Sequence, residues 1–105
     1  MGIFGSTFSK QIDEFAKALA REVCEQLPPA PEDGLPRKAS PRKIVATLER
    51  VCAKALGFAR EHKLGVYKNA RLANTFRWEL IALGYDKQFV EEATQQLVLR
   101  VAGTR

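Results

Sequence analysis

The stretch Asn69–Tyr85, NARLANTFRWELIALGY, decides the fold class. Leu72, Ala73, Phe76, Leu80 and Leu83 recur at three- and four-residue steps, the period of one face of an α-helix. Arg71, Thr75, Trp78, Ile81 and Tyr85 fall roughly on the opposite side, because a step of two residues turns a helix by about 200°. A helix that is apolar on both sides is packed on both, or packed on one and binding on the other. Asn69 is its expected cap and Gly84 its expected end.

The flanking segments read as helices too. Asp86 can cap a fourth helix over about 87–102, with Phe89, Val90, Ala93, Leu97, Val98 and Val101 for packing and Gly103 as its stop. Upstream, Ser40-Pro41 pairs a cap residue with a first-turn proline. The helix it opens has a broad apolar face that includes Ile44, Leu48, Val51, Cys52, Ala55 and Phe58, and Gly65 is its expected stop. Before that, Phe8, Ile12, Phe15, Leu19, Val23 and Leu27 mark a first helix over 7–27, closed by Pro28 and Pro29. No segment shows sustained period-two alternation. The expectation is an all-α protein, a small helical bundle of four helices.

All five prolines lie in residues 28–41, PPAPEDGLPRKASP, which reads as an extended linker. One domain of 105 residues is expected overall, in three parts: an N-terminal amphipathic arm over 1–27, a Pro-rich basic linker over 28–41 and a three-helix unit over 42–105. A linker this long makes the first helix a candidate detachable arm. Its alternative berth is the second stripe of Asn69–Tyr85.

The net charge of +5 is unevenly spread. Residues 1–34 carry three basic and six acidic side chains, residues 35–77 eleven basic and two acidic, and residues 78–105 three basic and four acidic. Such a basic middle suggests an acidic partner, whether nucleic acid, an anionic membrane surface or an acidic protein, or an acidic first segment folded back upon it. The candidate anion- or nucleic-acid-binding residues are Arg37, Lys38, Ser40, Arg42, Lys43, Arg50, Lys54, Lys68 and Arg71. Arg42 and Lys43 oppose the dipole of the helix they open, which an anion at that end would relieve.

Chemistry has little support in the sequence. His62 is the sole histidine, at a helix end, and no nucleophile, phosphate-cradling loop or metal-ligand spacing accompanies it. Asp13-Glu14 and Glu91-Glu92 are adjacent pairs, which do not face each other on a helix. Cys24 and Cys52 lie on apolar stripes, as buried reduced thiols do. No catalytic residue, metal ligand or cofactor is expected. The turn at Gly84 fits a helix-turn-helix, but Glu91 and Glu92 would repel phosphates from its second helix.

No uncharged apolar run approaches the ~18 residues of a membrane span. The start, MGIFGSTFSK, does not read as a secretory signal, though Gly2 and Ser6 fit the loose myristoylation pattern. A cytoplasmic location is expected, and membrane attachment is not, since acidic residues outnumber basic ones on the first helix.

The leading expectation is a non-catalytic protein-interaction module, an adaptor or a self-associating chain, with Ile12, Phe15, Leu19, Val23, Trp78, Ile81 and Tyr85 as apolar anchors. Nucleic-acid binding through the basic segment 37–77 is the alternative.

Overall fold

The apolar stripes close on one another. The computed structural model describes the backbone of residues 2–102 and the side chains of residues 8–102. Among these residues there are four helices and no strand: α1 (Gly2–Gln26), α2 (Pro41–Glu61), α3 (Val66–Ala82) and α4 (Lys87–Ala102). The side chains of Gly2 and Ser6, in the myristoylation pattern, and the expected stop Gly103 lie outside the described residues.

Side-chain contacts fix the directions. Phe8 meets His62, Phe15 stacks on Phe58 and Glu22 binds Lys54, so α1 and α2 run antiparallel. Asp13 binds Arg71 and Arg21 faces Glu79, so α1 and α3 run parallel. Arg77 binds Glu91 across the short turn, so α3 and α4 are antiparallel. Round the bundle the order is α1, α3, α4, α2, with α1 packed most extensively on α3. Ile12, Ala16, Leu19 and Val23 of α1 join Leu72, Phe76 and Leu80 of α3, Val51 and Ala55 of α2, and Val90 and Leu97 of α4 in one buried cluster. α1 is therefore part of the core rather than an arm beside it. At roughly 1.5–3 kcal/mol for each large apolar side chain withdrawn from water, its stripe is a main source of cohesion.

Three ends differ from expectation, and the first is the start of α1, at Gly2 rather than at 7. Gly65 does not stop α2; it is the N-cap of α3, in an extended conformation, and α3 starts at Val66 rather than after Asn69. The stop falls earlier, at Lys63, which takes the left-handed conformation with φ 52°. The N–H of Lys63 donates to the Arg60 carbonyl and that of Leu64 to the Ala59 carbonyl, the pattern of a Schellman end. It turns Leu64 back against the core, which offsets the cost of a lysine at a position that favours glycine. At the other end of α3 the same motif uses Gly84, φ 101°. Ser40 and Asp86 cap α2 and α4 as expected, Ser40 accepting from the Lys43 N–H and Asp86 from those of Gln88 and Phe89.

The proline-rich segment is folded rather than extended. The N–H of Gly34 donates to the Ala30 carbonyl, that of Ala30 to the Leu35 carbonyl, and the Asp33 carboxylate accepts from the Leu35 N–H and from Arg37. Gly34 and Pro36 are buried. The Gly34 carbonyl accepts from the Asp86 N–H at 2.9 Å, which pins the segment to the α3–α4 turn. A glycine is required there twice over: φ is +73°, and a Cβ would lie 2.6 Å from the Asp86 nitrogen and 2.7 Å from the Gly84 oxygen. Beside this latch the Tyr85 hydroxyl donates to the Leu27 carbonyl, closing the end of α1 onto the same turn.

Gly34→Ala should therefore cost about 2 kcal/mol or more in urea denaturation, from the strained φ and the displaced backbone contact. Unchanged stability would mean that the segment is not held on the turn.

Candidate functional surface

The acidic first helix neutralises much of the basic middle. Glu22 binds Lys54 at 2.7 Å and faces Arg50 at 3.7 Å. Arg71 grips Asp13 with two parallel N–H donors, at 2.9 and 3.0 Å, while the Thr75 hydroxyl donates to the same carboxylate. The Arg71 hydrogen bond holds the Asp13 carboxyl below its ordinary range, helped by Thr75 and by nearby positive charge and opposed by partial burial. Arg37 is paired with Asp33, and the Lys68 ammonium lies 5.1 Å from the centre of the Phe8 ring. Of the candidate anion-binding residues, Lys38, Arg42 and Lys43 make no ion pair among the described residues, and they stand exposed near the cap Ser40. Lys68 and Arg71 lie toward the other end of the bundle, beside the start of α1. The fold does not assemble the candidate cations into one surface.

The candidate apolar anchors separate as well. Ile12, Leu19 and Val23 are buried in the chain's own core, and Phe15 lies against Phe58 with ring centres 4.1 Å apart. Tyr85 is buried beside Phe89, and burial raises its phenol well above the ordinary value. Trp78 and Ile81 remain outside, at 58% and 36% exposure. In this fold five of the seven anchors are thus used internally, because α1 occupies the stripe that a departing arm would have uncovered.

The groups that could carry chemistry are scattered. Burial raises the Cys52 thiol, which disfavours the reactive thiolate, and Cys24 and Cys52 are both free. His62 is wedged between the Phe8 and Phe58 rings. Among the described residues no cluster of three His, Cys, Asp or Glu side chains could hold a metal ion, and no helix is long and apolar enough to cross a membrane.

What the structure does assemble is a groove of about 750 Å³ between the first half of α3 and the second half of α4. Its walls are Ala70, Ala73 and Asn74 on α3 and Thr94, Val98 and Ala102 on α4, with Leu64 and Val66 at the end where α3 begins. Small residues on both facing sides leave the two helices incompletely filled, which is the local cause of the groove. Two buried polar atoms border it without any hydrogen-bond partner, Asn69 Oδ1 and Thr94 Oγ1. Such atoms are uncommon, because a buried polar group left unpaired costs about 1–3 kcal/mol. Of its lining residues Val66 and Val98 are exposed, and Tyr67 and Leu99 are exposed on the same two helices. Arg77 crosses its upper end, bound to Glu91 and lying over the Trp78 ring. Apart from Val45, every exposed large apolar side chain among the described residues lies on α3 or α4.

Sequence reasoning passed over this groove. Its signal was the run of small residues Ala70, Ala73 and Asn74 at helical spacing.

No known protein family, curated protein or solved structure matches the chain.

The geometry makes two predictions. The folded-state pKa of Asp13 lies below its unfolded value, so its contribution is complete above the ordinary value of 3.8 and is lost as pH falls through the folded one. Asp13→Asn should lower stability at neutral pH and flatten the acid limb below that value in a pH series of thermal melts. Thr94→Val, which removes an unpartnered hydroxyl at nearly constant shape, should raise the stability of the isolated chain by about 1 kcal/mol. A loss of similar size would show that the hydroxyl has an internal partner.

Proposed function

We propose that this chain is a non-catalytic interaction module that docks a protein partner on its α3–α4 face. The observation that carries the reading is a coincidence on one side of the bundle. The apolar groove, with exposed Val66 and Val98 in its lining, lies there, and Tyr67, Trp78, Ile81 and Leu99 are exposed on the same two helices. Contiguous exposed apolar surface of this kind is characteristic of binding faces. Exposed aromatic residues such as Tyr67 and Trp78 are the side chains that most often anchor interfaces. The mode is helix-in-groove, with this chain supplying the groove. The internal pairing of the bundle supports the same reading, since α1 already covers the rest of the apolar surface.

Nucleic-acid binding is the weaker proposal. Arg50, Lys54 and Arg71 are engaged with Glu22 and Asp13, and phosphate would have to compete for them. The exposed Lys38, Arg42 and Lys43 are what favours it.

A photo-crosslinking residue placed at Val98, in the groove lining, and at exposed Ala53 on α2 tests the docking face in cell extract irradiated at low and at high salt. Protein adducts should form from position 98 and not from position 53, at both salt concentrations. Adducts forming equally from both, or from neither, would contradict the proposal. Nucleic-acid adducts at position 53 that form only on irradiation at low salt would favour the alternative.

A further inference from the structure

We propose that the end of the bundle where α2 passes into α3 rests on an anionic membrane surface, a peripheral contact made by Val66 and Tyr67 with Lys63 and Lys68 on either side. It goes beyond the docking reading and does not depend on it, since Val66 alone is common to the two surfaces.

Exposure is the first argument. Tyr67 at 91% and Val66 at 83% are the most exposed large apolar side chains among the described residues. They stand next to each other in the first turn of α3. Two such side chains held in water are relieved only by apolar surroundings. Tyr67 does not line the groove, so an occupant of the groove leaves it in water. A bilayer interface takes it without a matching pocket, with the ring below the headgroups and the hydroxyl among them.

Charge is the second. Lys63 precedes the pair and Lys68 follows it, with Arg60 a turn earlier and Lys10 on the neighbouring α1, and all four are exposed. None makes an ion pair among the described residues, and the Lys68 ammonium lies over the Phe8 ring. The carboxylates here are Glu61 and, a turn beyond Lys10, Glu14. Positive charge thus predominates around the apolar pair. Anionic lipid attracts such clusters, and lysine stems let the ammonium groups reach phosphate while the apolar neighbours sit deeper. Nucleic acid would use the same cations, but aliphatic Val66 offers no ring on which a base can stack.

The placement of α1 is the third. Phe8 lies against His62 and Lys68, so α1 starts at this same end. Residues 1–9 carry no charged side chain, and Ile3 and Phe4 are among them. The acidic residues of α1 are directed elsewhere. Asp13 is held by Arg71, and Glu22 and Glu25 lie toward the opposite end, Glu22 on Lys54. An acidic balance opposes a helix lying flat on a membrane, whereas this bundle meets the surface end-on. No described helix is long and apolar enough to cross it.

Flotation of the full chain with vesicles of phosphatidylcholine, alone and with about 30% phosphatidylserine, is the test. The protein should float with the phosphatidylserine vesicles at low salt, not with phosphatidylcholine alone, and should separate at high salt. Lys63→Gln combined with Lys68→Gln should lower partitioning about tenfold or more, and Tyr67→Ser should lower it severalfold. Lys38→Gln combined with Arg42→Gln and Lys43→Gln, at the far end of α2, should leave it unchanged. Circular dichroism melts check that each variant folds. If loss of the Lys68–Phe8 contact lowers the melt, Arg60→Gln with Lys63→Gln reads the same charge. Absence of flotation would overturn the inference, as would equal weakening by the changes at both ends. Retention of a single-stranded oligonucleotide through Lys63 and Lys68, without flotation, would overturn it too and assign this end to nucleic acid. The crosslink from position 98 reads the other face, so either reading can fail while the other stands.

Discussion

A helix that is apolar on more than one side has to be covered on more than one side, and α3 is the element on which that constraint falls. Leu72, Phe76 and Leu80 are fully buried, with α1 running parallel along one flank and α4 antiparallel along the other. The flank toward α1 is closed by large side chains, Ile12, Leu19 and Val23. The flank toward α4 is closed by Val90 and Leu97, but where Ala70, Ala73 and Asn74 face Thr94 and Ala102 the residues are small and closure is incomplete. The bundle order, the buried state of α1 and the open groove all follow from this unequal cover. Parallel neighbours need a long connection, because the chain must return to the same end before starting the second helix. The proline-rich segment and α2 together make that return, and Gly34 anchors it on the α3–α4 turn.

Electrostatics follow the same packing. An acidic α1 laid between the basic faces of α2 and α3 places Glu22 beside Arg50 and Lys54, and Asp13 beside Arg71. These pairs are partly exposed, so their contribution to stability is small. Their larger effect is on register, since the two-pronged Arg71–Asp13 contact forms at only one alignment of α1 on α3. They also change how the net charge is presented. Three cations that would belong to an anion-binding surface in the linear sequence are used to hold the first helix.

The fold class was legible because helical periodicity is strong in all four segments, and the caps Ser40 and Asp86 stand where their side chains accept backbone N–H groups. Gly65 misled because a Schellman end needs its left-handed residue where the following apolar residue can reach the core, and here that residue is Leu64, preceded by Lys63. The candidate patch of Trp78, Ile81 and Tyr85 assumed one continuous helix. α3 ends at Ala82, and Gly84 turns the chain so that Tyr85 points back to Leu27 while Trp78 stays outside. A helical wheel orders residues around one axis, but does not say which neighbour covers which side. For that reason the groove was invisible until α4 was set against Ala70, Ala73 and Asn74.

The central claim is that the incompletely covered flank of α3 is where this molecule meets its partner. Amide chemical shifts of the isotope-labelled protein, followed by NMR as total protein is raised with unlabelled cell extract, address it most directly. The account predicts shifts confined to residues lining the groove, Ala70 and Asn74 on α3 and Thr94 and Val98 on α4, with Ala18 on α1 and Ala53 on α2 unmoved. Shifts concentrated on α1, α2 or the proline-rich segment, with the groove unmoved, would contradict it.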